Sequence, residues 1–317
     1  MNARIVVGTR GSDLALAQSR QLIERMRALF PRLGIEQRVV RTAGDKRLDL
    51  ELRDAVGRGG LDKGLFTKEL EDELLAGGVD LAVHSLKDLP TALPPGLMLG
   101  GVLERADEGD VLVSRRPGGL AAIAAGAEVA TGSLRRQLQL EIARPDLSVI
   151  GIRGNLPTRL GKLARGEAGA AIILAAAGLG RLGLPTRGRL EVERVTLHCE
   201  PLDRLMLPAV GQGVIGIECR RDDQRARRLL RRLRDRGTWR RSVAERTLLS
   251  ALGGGCQMPL GVRSGISGDM LSLEAVLCSG DGGEPVRAAS RGAVGSPAAV
   301  GRKLAAKLKR RMKHESK

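Results

Sequence analysis

The sequence predicts an α/β protein of two or three domains, and three observations carry that prediction. Short β-rich runs alternate with stretches of helical period along most of the chain, the pattern that builds layers of helix on sheet. The chain has 317 residues, more than one hydrophobic core usually serves. From Met270 the period changes to alternating strand material before a final helix, so a small α+β domain closes the chain.

Taken in order, Ile5-Val6-Val7-Gly8 reads as a first strand. A helix follows, with Ser12 at its N-cap and Leu14, Leu22 and Met26 on its core face. Phe66, Leu70 and Leu74 form a second apolar stripe, closed by Gly77-Gly78 as a C-cap. Val79 to Val83 is a strand, and His84-Ser85-Leu86-Lys87-Asp88-Leu89-Pro90 is the loop leaving it. In open α/β sheets ligands sit on such loops, at the C-terminal ends of strands. The Gly/Pro-rich stretch from Leu93 to Gly101 has no strong period and reads as the approach to a domain crossing. Val111-Leu112-Val113 starts new strand material. Ser133 caps a helix that ends before Pro145. Val149 to Ile152 is a strand, Asn155 caps the next helix, and Ala170 to Leu174 is a strand again. Ala244 to Leu252 is helical. In the last helix Leu304, Leu308 and Met312 recur at helical spacing under a basic outer face.

Composition narrows the function classes. Hydrophobic residues make up 42% of the chain and aromatic residues only 1%, with no Tyr, one Trp (Trp239) and two Phe (Phe30 and Phe66). The cores are therefore aliphatic, and stacking of aromatic rings on bases is disfavoured. The formal net charge is +17. The basic runs Arg225 to Arg241 and Arg302 to Lys313 read as solvated helix faces. No apolar signal region follows the first residues, and no apolar run is long enough to span a bilayer. A soluble, cytoplasmic chain is expected. Cys199, Cys219, Cys256 and Cys278 are far apart and form no CxxC pair, so neither a metal site nor a disulfide is expected.

Three helix starts share an odd feature. Arg10 precedes the cap Ser12, Arg135 and Arg136 follow the cap Ser133, and Arg153 precedes the cap Asn155 with Arg159 one turn in. Cations there oppose the helix dipole at about 0.3–1 kcal/mol each. An anion held between the arginine forks and the free N–H groups would reverse that cost; side chains pointing into water are the other reading. Lys87-Asp88 places a carboxylate at a strand end, where it could stabilise a cation or move a proton, or simply form a turn before Pro90. His84 is equally a packed histidine or an acid–base group. Cys256, after Gly253-Gly254-Gly255, is either a nucleophile able to hold a covalent adduct or a plain free cysteine. Gly211-Gln212-Gly213 lacks the spacing and the lysine of a nucleotide loop.

Together, these segments resemble the porphobilinogen deaminase family. The matching runs are Val7-Gly8-Thr9-Arg10-Gly11-Ser12 with Leu14-Ala15-Leu16-Ala17-Gln18, Thr42-Ala43-Gly44-Asp45, Lys63 to Glu71, and Val79 to Thr91. Further on come Thr131-Gly132-Ser133-Leu134-Arg135-Arg136-Gln137, Ile152-Arg153-Gly154-Asn155, Leu174 to Leu179, Leu207 to Gly213, and Gly254-Gly255-Cys256-Gln257. Their order and spacing span nearly the whole chain.

The resemblance implies a transferase that condenses four porphobilinogen units head to tail, with loss of ammonia, into the linear tetrapyrrole hydroxymethylbilane. It implies a dipyrromethane cofactor joined to Cys256 by a thioether, with Lys87, Asp88, Ser133, Arg135 and Arg136 around it. Arg10, Ser12, Arg153, Arg159 and Arg181 match substrate-binding positions, and Asp88 matches the catalytic aspartate. A fixed carboxylate there would stabilise the azafulvene cation left by ammonia and the charge on the attacking pyrrole. The implied fold has two periplasmic-binding-protein-like domains with mixed sheets, residues 1–101 with 199–219 and residues 102–198. A small α+β domain, 220–317, carries the cysteine. The family is generally monomeric, and neither nucleic acid nor membrane is expected as a partner. Asp13, Ala17, Leu156-Pro157 and Gly253 depart from the usual family residues; Pro157 suits the first turn of a helix capped by Asn155.

A non-catalytic anion receptor of the same architecture is the rival. It would need a secretion signal or a DNA-reading helix pair, and the sequence shows neither. Nucleic-acid binding would rest on the basic runs alone.

Overall fold

The structure is a computed structural model that describes residues 4–41, 67–255, 258–278 and 284–315. Phe66, the matching run 42–45, residues 63–66 and the pair Cys256-Gln257 lie outside the described residues. The chain forms two compact units, Met1–Arg105 with Val214–Trp239 and Ala106–Gly213 with Arg240–Lys317.

The elements run β1 (Arg4–Thr9), α1 (Asp13–Leu29), β2 (Gly34–Val39), α2 (Lys68–Leu75), β3 (Leu81–Ser85) and β4 (Leu97–Val102). Next come β5 (Asp110–Ser114), β6 (Glu128–Ala130), α3 (Leu134–Ala143), β7 (Ser148–Ile150), α4 (Leu156–Ala164), β8 (Ala171–Ala175) and α5 (Ala176–Arg181). The chain continues through β9 (Gly188–Val192), β10 (Val195–Pro201), β11 (Ile215–Arg220), α6 (Gln224–Leu233) and α7 (Arg236–Ala251). It closes with β12 (Leu260–Ser267), β13 (Met270–Leu277), β14 (Val286–Ala293) and α8 (Pro297–Glu315).

Among the described residues, the first unit's sheet has the order β2-β1-β3-β11-β4 and the second unit's large sheet β7-β6-β8-β5-β10-β9. Both follow one plan. Three parallel strands come first, as β1 with β2 and β3 and as β6 with β7 and β8. An antiparallel strand then follows: β11 beside β3, and β5 beside β8. These are mixed α/β sheets, and β12-β13-β14 with α8 adds the small C-terminal α+β layer. The fold class expected from the sequence is the one observed.

The cores follow the sequence period. In the first unit Val7, Leu81, Val83 and Ile217 pack on Leu22 and Met26 of α1 and on Leu230 of α6. Leu70, Leu74, Val79 and Ala82 cover the other face. In the second unit Val113, Ile172 and Leu174 meet Leu160 and Leu163 of α4, while Leu112, Val129 and Ile173 meet Leu140 of α3. In the C-terminal layer Leu304 and Leu308 are fully buried against Leu271, Leu273 and Leu248. Each such side chain contributes about 1.5–3 kcal/mol by leaving water.

Several sequence readings shift. The strand expected over 79–83 is β3, two residues later, because Asp80 is used to accept the Val6 N–H at 2.8 Å. His84 and Ser85 therefore belong to the strand rather than to the loop. The stretch before Gly101 ends in a strand, β4, hidden by its glycines: a Cβ on Gly100 would stand 2.4 Å from Leu230 Cδ1. The helix expected from Ala244 begins at Arg236. The strand over 149–152 is shorter, Ser148–Ile150, and β12 was not expected. Met312 is exposed rather than on the buried stripe. Residues 199–201 pair with β5 in the second sheet, so the chain rejoins the first sheet only with β11.

Candidate active site

In the first unit the site residues gather at the C-terminal edge of the parallel strands. β1 ends at Thr9, and Arg10-Gly11-Ser12 leads into α1. Ser12 caps that helix, its hydroxyl accepting from the Ala15 N–H at 3.4 Å. β3 lies beside β1, pairing Gly8 with Ala82, and runs into a single 3-10 turn, Leu86–Asp88. Two bonds hold the turn's entry: Gln18 Nε2 donates to Ser85 Oγ at 2.8 Å, and the Leu86 N–H donates to the Val214 carbonyl at 2.9 Å. Lys87 is half-buried and Asp88 exposed. A carboxylate on a short, pinned turn keeps its place.

Behind this turn lies a buried cluster. His84 Nε2 stands 3.2 Å from Glu218 Oε2 of β11. Glu71 of α2 lies near both, and its pKa is raised by burial and then by the Glu218 charge. His84 is thus packed against buried acidic side chains.

In the second unit α3 and α4 start from the C-terminal ends of β6 and β7, which are parallel neighbours. Ser133 occupies the N-cap position of α3, but its hydroxyl makes no cap bond. Asn155 does cap α4, Oδ1 accepting from the Thr158 N–H at 2.9 Å. Arg153 is exposed, and Arg159 Nε donates to the Gly154 carbonyl at 2.8 Å. Arg181, at the end of α5, donates from Nη2 to the Gly213 carbonyl at 2.7 Å. Burial pushes its pKa down to about 10, so it stays charged at neutral pH.

Arg135 and Arg136 are 5% exposed each and converge on Asp110, which is 1% exposed. Arg136 Nε and Nη2 donate to Asp110 Oδ1 at 3.0 and 2.8 Å, and its Nη1 donates to the Ile173 carbonyl at 2.8 Å. Arg135 Nη1 lies 2.8 Å from Asp110 Oδ2 and donates to the Leu207 carbonyl at 2.6 Å. Gln212 Nε2 adds a third bond to Asp110 Oδ1 at 3.0 Å. Despite burial, the guanidiniums of Arg135 and Arg136 hold the Asp110 carboxyl well below the usual carboxylate range. Two guanidiniums thus share one carboxylate, and Arg135 Nε is buried without a hydrogen-bond partner among the described residues. Among the described residues this cluster holds more positive than negative charge, which is costly unless an anion answers it. With the uncapped start of α3 beside it, the cluster fits a carboxylate-bearing cofactor.

Near the C-terminus α7 ends in a turn. Gly253 has φ +79°, and the Gly254 N–H donates to the Leu249 carbonyl at 3.1 Å, the closing bond of a glycine-capped helix. The glycine run is thus a fixed helix end leading to residue 256. Glu245 on the same helix is fully buried. Its Oε2 accepts from the Gly211 N–H at 2.8 Å, and its Oε1 accepts from the Ser264 hydroxyl. Cys199, Cys219 and Cys278 are free and buried; burial pushes the Cys199 and Cys219 thiols up to about 11, so they are inert at neutral pH. Among the described residues no acidic, cysteine or histidine group could hold a metal, and no helix is long and apolar enough to cross a membrane.

Asp110, Gln212 and Glu245 escaped the sequence reading. A buried acid beside an apolar run and a polar residue between two glycines look, locally, like turn residues. The excess of arginines at the start of α3 is the one signal that asked for a buried counter-charge.

Fold and site together define a mixed α/β protein with arginines at its helix starts and a carboxylate on a strand-end turn. Two sequence models match: the dipyrromethane cofactor binding domain of porphobilinogen deaminase over residues 5–228, and the C-terminal domain of porphobilinogen deaminase over residues 239–310. A porphobilinogen deaminase of Desulforudis audaxviator is 49% identical, covering 97% of this chain and 95% of its own length. One of Syntrophobacter fumaroxidans is 46% identical over the same shares. Among solved structures, the BenM effector binding domain with benzoate aligns at TM-score 0.43 and 14% identity, over 74% of this chain and 92% of its own. The chain belongs to the porphobilinogen deaminase family. Its activity is that of a hydroxymethylbilane synthase, a transferase of tetrapyrrole biosynthesis that polymerises porphobilinogen and uses a dipyrromethane cofactor.

Proposed function

We propose that Asp88 is the catalytic carboxylate of this reaction and that Cys256 is a permanent tether for the cofactor. The observation that carries the reading is the anion seat at the start of α3, where two arginines share one buried aspartate and Arg135 retains an unmet donor. When bound, the dipyrromethane supplies the pyrrole carbon to which the first substrate unit is joined.

The remaining roles belong to the chain's own residues. Lys87, Asp88, Ser133, Arg135 and Arg136 surround the cofactor, its carboxylates facing the cations, with Asp110 tying Arg136 to Arg135. Arg10, Ser12, Arg153, Arg159 and Arg181 bind the acetate and propionate groups of substrate. Asp88 stabilises positive charge as ammonia leaves porphobilinogen, and a fixed carboxylate does this most strongly in the transition state. The three-domain reading assigns Asp88 to the first domain, the arginine-bearing helix starts to the second, and the tether to the third. The protein acts as a cytoplasmic monomer, and the reaction requires no nucleic acid, membrane or metal.

The test is mass spectrometry of the purified protein. The peptide containing Cys256 should carry a fixed mass excess that is absent from Cys256→Ser. An active preparation with an unmodified Cys256 would sink the tether.

A further inference from the structure

We infer that Asp110 is a positioning residue for cofactor binding, acting through Arg135, with Arg136 and Gln212 as its braces. The inference rests on the cofactor reading above and divides labour within it. Arg136 spends Nε and both terminal nitrogens on Asp110 and the Ile173 carbonyl, and is 5% exposed. Among the described residues Arg135 places only Nη1 on Asp110 and the Leu207 carbonyl, and its Nε is an orphan donor. Of the two, Arg135 is the one built to receive a further anion.

The geometry explains why one carboxylate serves both. A lone arginine at a helix N-terminus would swing away from the dipole. Here Asp110, at the first residue of β5, clamps Arg135 to the sheet. The clamp is itself fixed: Gln212 Nε2 donates to the Glu108 carbonyl at 2.7 Å as well as to Asp110. Without Asp110, two buried cations would face each other and Arg135 would lose its direction.

The experiment compares wild type with Asp110→Asn, Arg135→Gln, the double variant and Gln212→Ala. Two readouts are taken on each purified protein: the share of chains with the cofactor mass on the Cys256 peptide, and the unfolding temperature. Asp110→Asn and Arg135→Gln should each lower the loaded share by about tenfold, the size expected for a lost charge-assisted contact. The double variant should load no worse than Arg135→Gln alone, because Asp110 acts through Arg135. If Asp110→Asn fails to fold, Gln212→Ala decides: it removes no charge and should lower loading by about twofold to threefold, less than a direct loss because Gln212 braces Asp110 without touching the cofactor. Loading that is unchanged in Gln212→Ala or Asp110→Asn, or that falls additively in the double variant, overturns the inference. Absence of the mass excess in wild type would instead overturn the tether itself.

Discussion

Replacing Glu245 with alanine should loosen the helix that leads to Cys256. Glu245 is fully buried and bonds two elements outside its helix: the Gly211 N–H at 2.8 Å, and the hydroxyl of Ser264 on β12. Ser264 in turn accepts from Arg241 Nε at 2.9 Å. Glu245→Ala removes both carboxylate bonds and leaves the Gly211 N–H buried without an acceptor. Hydrogen bonds to a charged group are worth about 1.5–3 kcal/mol each, and a stranded donor costs about 1–3 kcal/mol. These overlap, so a loss of about 4 kcal/mol is expected, within the range for breaking a buried ionic contact. For a unit of this size that corresponds to a fall in unfolding temperature of about 10 °C. Glu245→Gln keeps one acceptor oxygen and the side-chain volume, and should fall by about half as much. Calorimetry on the three proteins is the assay. A fall below about 3 °C for Glu245→Ala would refute the reasoning, since a solvated side chain would give as much.

Three further outcomes are expected. Asp88→Asn should lower kcat by about a hundredfold to a thousandfold, the usual cost of a preorganised electrostatic group, while the unfolding temperature stays within about 1 °C because the side chain is exposed; near-normal turnover in steady-state assays would contradict the assigned role. Glu71→Gln should stabilise the protein at alkaline pH. The folded-state pKa of Glu71 is raised, so its contribution is fully present below the ordinary carboxylate value and is lost as pH rises through the folded value; unfolding temperatures of the two proteins should converge in acid and separate above it. Gly253→Ala should cost about 1–2 kcal/mol, because its φ of +79° is a left-handed conformation that an alanine pays to adopt, and urea titration reads that directly.

The sequence made much of the site's outline legible. Caps and apolar stripes, as at Ser12, Asn155, Leu70 and Leu304, depend on residues three or four apart, and the structure places them as expected. The arginine-bearing helix starts were legible because they violate a local electrostatic rule. What answers them was not. Asp110 meets Arg135 and Arg136 across about twenty-five residues of chain, and Gln212 meets Asp110 across 102. Glu245 meets Gly211 across 34. Contacts at such separations leave no period to read. β4 was obscured because Gly100 stands where Leu230 of a distant helix packs, and a strand with glycine on its packed face loses its apolar signature. Cys256 stands apart from both cases: its assignment as the tether rests on the ordered family motifs, not on its neighbours in the sequence.

The antiparallel strand of the first sheet has a consequence for how the protein is made. β11 lies between β3 and β4 and is the only neighbour of β4 in the described sheet. It is formed by Ile215–Arg220, so the ribosome must deliver more than two-thirds of the chain before the N-terminal sheet can close. Until then β3 keeps one open edge and β4 has no partner strand in the described sheet, and open edges are the most prone to misassembly. Pairings of such long sequence separation also fold slowly. The second unit's large sheet needs no such wait: its strands, β5 to β10, lie in one continuous stretch of chain. The middle of this chain can therefore finish folding before its beginning does.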